Sequence, residues 1–203
     1  MQSIRICGAL ATLLVGACTT QEVLQPKSAV APFGVDFSGN WTLRSDSAAD
    51  RERINAAIGQ AAGSSDIIPM PTEKSRSSGS HGRSPSRGSR GGLVQVFLES
   101  GDNIKVTQTD HGIFVSFDRS VVVEYRFGET RTVNVGAIVA QRASGWEGDR
   151  YVVETLDRNG TKMTETIYLS DNMQTLHRLI VIRKSDGSDI RLQQSFARQE
   201  SSP

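Results

Sequence analysis

Apolar and polar residues alternate with a period of two through the second half of the chain. Ile104 and Val106 interleave with Lys105 and Thr107; Ile113, Val115 and Phe117 follow, then Val121, Val123 and Tyr125. Runs of the same kind cover residues 131–135, 137–143, 151–156, 162–169, 175–184 and 189–197. A two-residue period is that of a strand with one buried and one wet face. Turn residues separate the runs: Asp110-His111-Gly112, Asp118-Arg119-Ser120, Asp157-Arg158-Asn159-Gly160, Ser170-Asp171-Asn172 and Ser185-Asp186-Gly187-Ser188. Asn159-Gly160 predicts a hairpin with a type I′ turn, since both residues tolerate positive φ. Residues 36–43 add a first strand with Phe37, Trp41 and Leu43 on one face. The expectation is a mainly β protein, an antiparallel meander of about eight or nine strands. Closing it into a small β-barrel would cover its edges.

Between the first strand and the meander the period changes. Asp46 or Ser47 can cap a helix over residues 47–62, which is rich in alanine, acidic at its start and followed by Gly63. Ile54, Ile58 and Ala61 form a narrow apolar stripe, so this helix packs on one side. Residues 64–92 are different material: 75–92 contain no large apolar side chain and carry Arg76, Arg83, Arg87 and Arg90. Such a segment cannot offset the entropy of ordering, and a disordered Ser/Arg/Gly loop is predicted. Residues 18–35 hold two prolines and no sustained periodicity, the pattern of a tether. The expected body is thus one β domain over 36–198, with the helix and the insert inside it and a short tail over 199–203.

Near the start, Arg5 and the amino terminus give positive charge ahead of an apolar run over 6–17. As a helix, about 12 residues rise about 18 Å against a bilayer core of about 30 Å, so the run fits a signal peptide and not a span. Gly16 and Ala17 place small residues before Cys18. Val15-Gly16-Ala17-Cys18 resembles the bacterial lipobox, which implies a signal peptide over 1–17, cleavage before Cys18 and diacylation of that residue. Cys7 leaves with the signal peptide, so Cys18 is the sole thiol of the mature chain. Two acyl chains anchor a protein stably where one does not. Thr19 stands where an aspartate would retain a lipoprotein in the inner membrane. The resemblance therefore implies the cell outer membrane, with the body facing the periplasm.

Loss of Arg5 takes the 23 basic residues to 22, equal to the 22 acidic ones. A neutral chain has no general electrostatic attraction for nucleic acid. No second long apolar run exists, so the expected membrane contact is the lipid on Cys18. Candidate chemistry is sparse. His81, His111 and His177 lack zinc-site spacing, and neither a Gly-x-Ser-x-Gly elbow nor a phosphate-binding loop occurs. Glu154, Asp157 and Glu165 fall on or near strands and are expected on wet faces. Arg126, Arg131, Arg142, Arg150, Arg178, Arg183 and Arg191 are expected mostly at solvated strand positions. No enzyme activity, metal or cofactor is expected.

Phe37-Ser38-Gly39-Asn40-Trp41-Thr42-Leu43 resembles the opening of bacterial exported lipocalin-like proteins and includes the Gly-x-Trp of lipocalins. Residues 103–109, Gly145-Trp146-Glu147-Gly148-Asp149-Arg150-Tyr151-Val152-Val153 and Thr164-Glu165-Thr166-Ile167-Tyr168-Leu169-Ser170 are similar to later elements of that group. The resemblance implies a small β-barrel with Trp41 plugging one end. It departs from lipocalins in the helix and loop over 47–92. Trp41, Phe117, Tyr125, Trp146, Tyr151, Tyr168 and Phe196 can line a cavity for an apolar or lipid-like ligand, or fill the core, as side chains do in small barrels. Two functions follow: a lipid-anchored, non-enzymatic module for such a ligand, or an envelope-scaffolding lipoprotein that engages a protein partner through the Arg/Ser/Gly loop.

Overall fold

The computed structural model describes residues 22–64, 94–119, 121–135, 138–170, 172–184 and 186–199. The expected signal peptide, Cys18 and the Ser/Arg/Gly insert lie outside them. The strands are β1 (Gly39–Leu43), β2 (Asn103–Gln108), β3 (Gly112–Phe117), β4 (Val121–Arg126), β5 (Glu129–Val135), β6 (Ile138–Glu147), β7 (Arg150–Asp157), β8 (Lys162–Leu169), β9 (Thr175–Arg183) and β10 (Asp189–Arg198). One helix, α1 (Ala48–Ser64), separates β1 from β2, with 3-10 turns at Ser45–Ser47 and Val94–Phe97. There are more strands than expected because each alternating run, however short, pairs as its own strand; β5 and β6 form a full hairpin.

All the strands form one 10-stranded antiparallel sheet in the order β4-β3-β2-β1-β10-β9-β8-β7-β6-β5. Its two edges, β4 and β5, are joined in sequence by Phe127 and Gly128 alone. That short link holds the edges together, so the sheet curls into a nearly closed barrel. Beside the link, the Arg126 carbonyl accepts hydrogen bonds from the Ser144 hydroxyl at 2.8 Å and the Tyr151 hydroxyl at 3.3 Å. No ladder joins β4 to β5, which leaves a seam along the wall. The expected mainly β barrel from an antiparallel meander is the fold observed.

The helix fills a gap that β1 is too short to cover. β1 pairs with only the last residues of β10, Phe196 to Arg198. Backbone groups earlier on that side of β10 need other partners. Ser195 N–H donates to the Ser47 hydroxyl and Gln193 N–H to the Asp50 carboxylate, both at 2.9 Å. Ser47, expected to cap α1, thus caps a strand edge. Ile54 then drops into a cluster of Val94, Phe97, Leu98, Ile138, Ala140, Met163, Ile180, Ile182 and Leu192, closing this end of the barrel.

Residues 22–35, expected within the tether, are docked on the body. From Glu22 onward the chain lies along the barrel wall as a strap. Leu24 is buried against Ala143 and Leu156. Ser28 exchanges backbone hydrogen bonds with Trp146, past the point where β5 begins. Lys27 pairs with Glu147 and, at 3.0 Å, with Glu154; Lys162 pairs with Glu22 and with Glu154. A glycine is needed beneath it, because a Cβ on Gly145 would stand 2.5 Å from the Ser28 carbonyl oxygen. The 157–161 hairpin also differs in detail. Gly160 alone takes positive φ, and Asp157 Oδ1 accepts the N–H groups of Asn159 and Thr161, which replaces the type I′ turn.

Candidate functional site

The inner faces of the strands hold two apolar clusters with a polar layer between them. The cluster farther from α1 is built from Phe37, Trp41, Phe117, Tyr125, Phe127, Trp146, Tyr151, Phe196 and aliphatic side chains of β2, β3, β7, β8 and β9. Phe37 stacks on Trp146 at 5.2 Å, and Phe127 and Tyr151 meet Trp146 edge-on. Trp41 donates its indole N–H to the Phe37 carbonyl at 3.1 Å. The Arg198 guanidinium covers the Trp41 ring at 4.2 Å, a cation–π contact, and donates to the Ser38 carbonyl. Gly39 takes φ +150°, a backbone conformation that L side chains rarely adopt.

Six of the seven aromatic residues singled out in the sequence are therefore together inside: Trp41, Phe117, Tyr125, Trp146, Tyr151 and Phe196. Tyr168 is not. It lies half-buried on the outer wall, stacked on His177 at 4.9 Å, with the Arg150 guanidinium over its ring at 4.5 Å. Its neighbours in phase on β8 are outward, whereas Ile167 beside it is buried.

The polar layer consists of Arg142, Thr155, Glu165, Arg178 and Gln194, all buried. Arg142 and Arg178, expected in solvent, and Glu165, expected on a wet face, are inside because each is in phase with its strand's apolar residues. Glu165 alternates with Met163 and Ile167, Arg178 with Leu176 and Ile180, and Gln194 with Leu192 and Phe196. This parity was the signal available in the sequence. Asp157, also expected on a wet face, is buried at the end of β7, and burial raises its carboxyl above the ordinary value.

Arg178 is fully engaged. Its Nε and Nη2 both donate to Glu165 Oε2, and Nη1 donates to the Glu99 carbonyl at 2.7 Å and to Gln194 Oε1 at 3.1 Å. Arg142 differs. It is 7% exposed, and its contacts are a 3.4 Å hydrogen bond from Nε to Thr155 and cation–π approaches to Phe97 and Tyr125. Among the described residues no carboxylate pairs with it. Glu165 Oε1 and Gln194 Nε2 are buried without a protein partner. Burial pushes the Tyr125 phenol above its ordinary value, with Glu165 adding to the rise and Arg142 and Arg178 opposing it, so all three charges act at this ring. Burial likewise raises the Glu99 carboxyl, against the pull of Arg178.

The space beside this layer is small. The enclosed cavity lined by Ile104, Val115, Phe117, Tyr125, Glu165 and Arg178 has a volume of about 10 Å³. That is room for about one water, against about 300 Å³ or more for a small-molecule pocket. As it stands, the aromatic set fills the barrel. A groove of about 330 Å³ exists on the outer wall, but it is open and polar, bordered by Asn40, Asn103, Lys105, Asp118 and Arg119.

No family model and no curated protein matches the chain. Solved structures do. A secretory abundant heat soluble protein of Ramazzottius varieornatus is 9% identical, with 80% of this chain and 95% of that one covered, at a TM-score of 0.45. A fatty acid transporter is 10% identical, with 82% and 98% covered, also at 0.45. A variant of the fluorescent protein UnaG is 14% identical, with 80% and 95% covered, at 0.42. At these levels the likenesses assign no activity to this chain.

Proposed function

We propose that this chain is a lipid-anchored, periplasm-facing, non-enzymatic module that takes a small apolar or lipid-like molecule with an anionic head into its barrel. One observation carries the reading: in the buried polar layer Glu165 is taken up by Arg178, and the guanidinium of Arg142 has no carboxylate partner among the described residues. A barrel kept only for its fold gains little from such a group, since burying an unpaired charge costs stability. An incoming carboxylate or phosphate would supply the missing partner, with the apolar chain against the clusters on either side. Entry requires side chains to part. The wall has its fewest bonds at the seam between β4 and β5, and Arg142 stacks on Tyr125 of β4 beside it.

The test is native mass spectrometry of the full chain purified from its own membranes, followed by titration with palmitate and with palmityl alcohol. The expected result is a retained lipid-like mass. Arg142→Gln should then weaken palmitate at least about tenfold, the size of one charge-assisted hydrogen bond, and leave the alcohol unchanged. A preparation that retains nothing and binds neither probe would sink the proposal.

A further inference from the structure

Glu22, where the strap begins, sits at one particular end of the barrel. It pairs with Lys162 at the start of β8, beside the β7–β8 turn. From there the strap descends past Leu24 and Lys27 to Phe37 at the opposite, aromatic end. Only Thr19, Thr20 and Gln21 separate Cys18 from Glu22. Fully extended, that connection reaches about 14 Å. A lipid on Cys18 thus has very little leash.

The turns at the Glu22 end share one arrangement. In the β3–β4 turn Asp118 accepts the N–H groups of Asp102 and Asn103; in the β7–β8 turn Asp157 accepts those of Asn159 and Thr161; in the β9–β10 turn Asp186 accepts that of Ser188. These acids bond backbone yet keep their charge beside the cations of the same turns, and Lys184 acts on Asp186. Arg119, Arg158 and Lys184, on the same turns, are exposed, and none has an ion-pair partner among the described residues. Other charges there are paired: Arg51 with Asp102, Arg53 with Asp50, Arg183 with Asp189 and Lys162 with Glu22; Asp118, Asp186 and Glu52 are exposed acids of the same end. Val23, next to Glu22, is 68% exposed. The opposite end carries Asp36, Asp110 and Asp149, the last paired with Arg150, which also lies over Tyr168, together with Arg126 and Arg198.

We infer that the docked strap fixes how the barrel stands on its membrane: the end bearing Arg119, Arg158 and Lys184 faces the phospholipid headgroups, and the aromatic end points away. This rests on the lipid-anchor reading above. The short connection to Cys18 and the docked strap set this pose, which brings the exposed Arg119, Arg158 and Lys184 within reach of headgroup phosphates. The α1-capped end and the open part of the seam then lie at the bilayer surface.

The experiment uses the mature acylated chain in vesicles of phosphatidylethanolamine and phosphatidylglycerol containing brominated lipid. Since Cys18 is blocked by its lipid, a fluorophore can be placed at Arg158→Cys or at Asp149→Cys. Quenching is expected to be several-fold stronger at the 158 site. Combined Arg119→Glu, Lys184→Glu substitution should reduce that difference, and Leu24→Glu, which undocks the strap, should abolish it while the chain stays membrane-bound. Equal quenching at both sites of an acylated chain overturns the orientation alone. Stronger quenching at the 149 site also overturns it, and points to the exposed Val30 and Phe33 of the strap instead. A mature chain whose mass shows no acyl group on Cys18 removes the anchor, and the orientation with it.

Discussion

At one end of the barrel the interior is closed by Trp41, Trp146, Tyr151 and Phe37, side chains whose backbones belong to the sheet or lead directly into it. At the other it is closed by Ile54, Val94, Phe97 and Leu98, which belong to a helix, a 3-10 turn and a loop outside every ladder. The aromatic end cannot open without breaking strand pairing. The helical end is held by Ile54, by the Ser47 and Asp50 contacts with β10, and by the Arg51–Asp102 pair. Segments with few buried contacts open locally at a cost below that of global unfolding. The barrel therefore has a rigid floor and a separable lid, and the polar layer with Arg142 lies between them.

Three measurements test that contrast. Trp41→Ala should lower global stability by about 3–5 kcal/mol, as loss of a large buried aromatic does; a urea midpoint close to the parent's would mean the floor is not the cooperative unit. Ile54→Ala should cost about 2–4 kcal/mol. Its signature is α1 amides that exchange at a free energy well below that of the strand amides, which lose protection only by the global cost. Equal exchange free energies for α1 and the strands would join lid and floor into one unit.

The smallest effect concerns the strap. Burial alone would raise the Glu154 carboxyl, but hydrogen bonds from Lys27 and Lys162 hold it below its ordinary value of 4.5. A carboxyl depressed in the folded state stabilises that state above its unfolded value, and the contribution fades as pH falls through the folded value. Acidification below pH 4.5 should loosen the strap by about 1 kcal/mol, the scale of a partly screened ion pair. Exchange of the Ser28 amide reads this, and Glu154→Gln should remove the pH dependence.

The strands and their turns were legible because alternation depends on the chain's own period. The aromatic set was legible as a set for the same reason, with Tyr168 the exception: large aromatic side chains occur on both faces of a wall, and its partner His177 comes from another strand. The polar layer was missed although its parity was visible. A charged residue on a strand usually belongs to the wet face, and only the phase of its neighbours argues otherwise. The strap carries no period at all. Leu24, Lys27 and Ser28 are fixed by Leu156, Glu147, Glu154 and Trp146, more than a hundred residues away.

By itself the sequence determined what depends on local spacing: strands of alternating residues, short turns, one helix with a narrow stripe, and an inward or outward face for nearly every strand position. Tertiary structure decided what depends on closure. Curling brings β4 beside β5 and sets Tyr125 of β4 against Arg142 of β6, which has no acid partner among the described residues. It also leaves a void of only about 10 Å³ beside the polar layer, because how far inward-facing side chains fill a barrel depends on its radius and on their packing across it. No single strand's pattern contains that information.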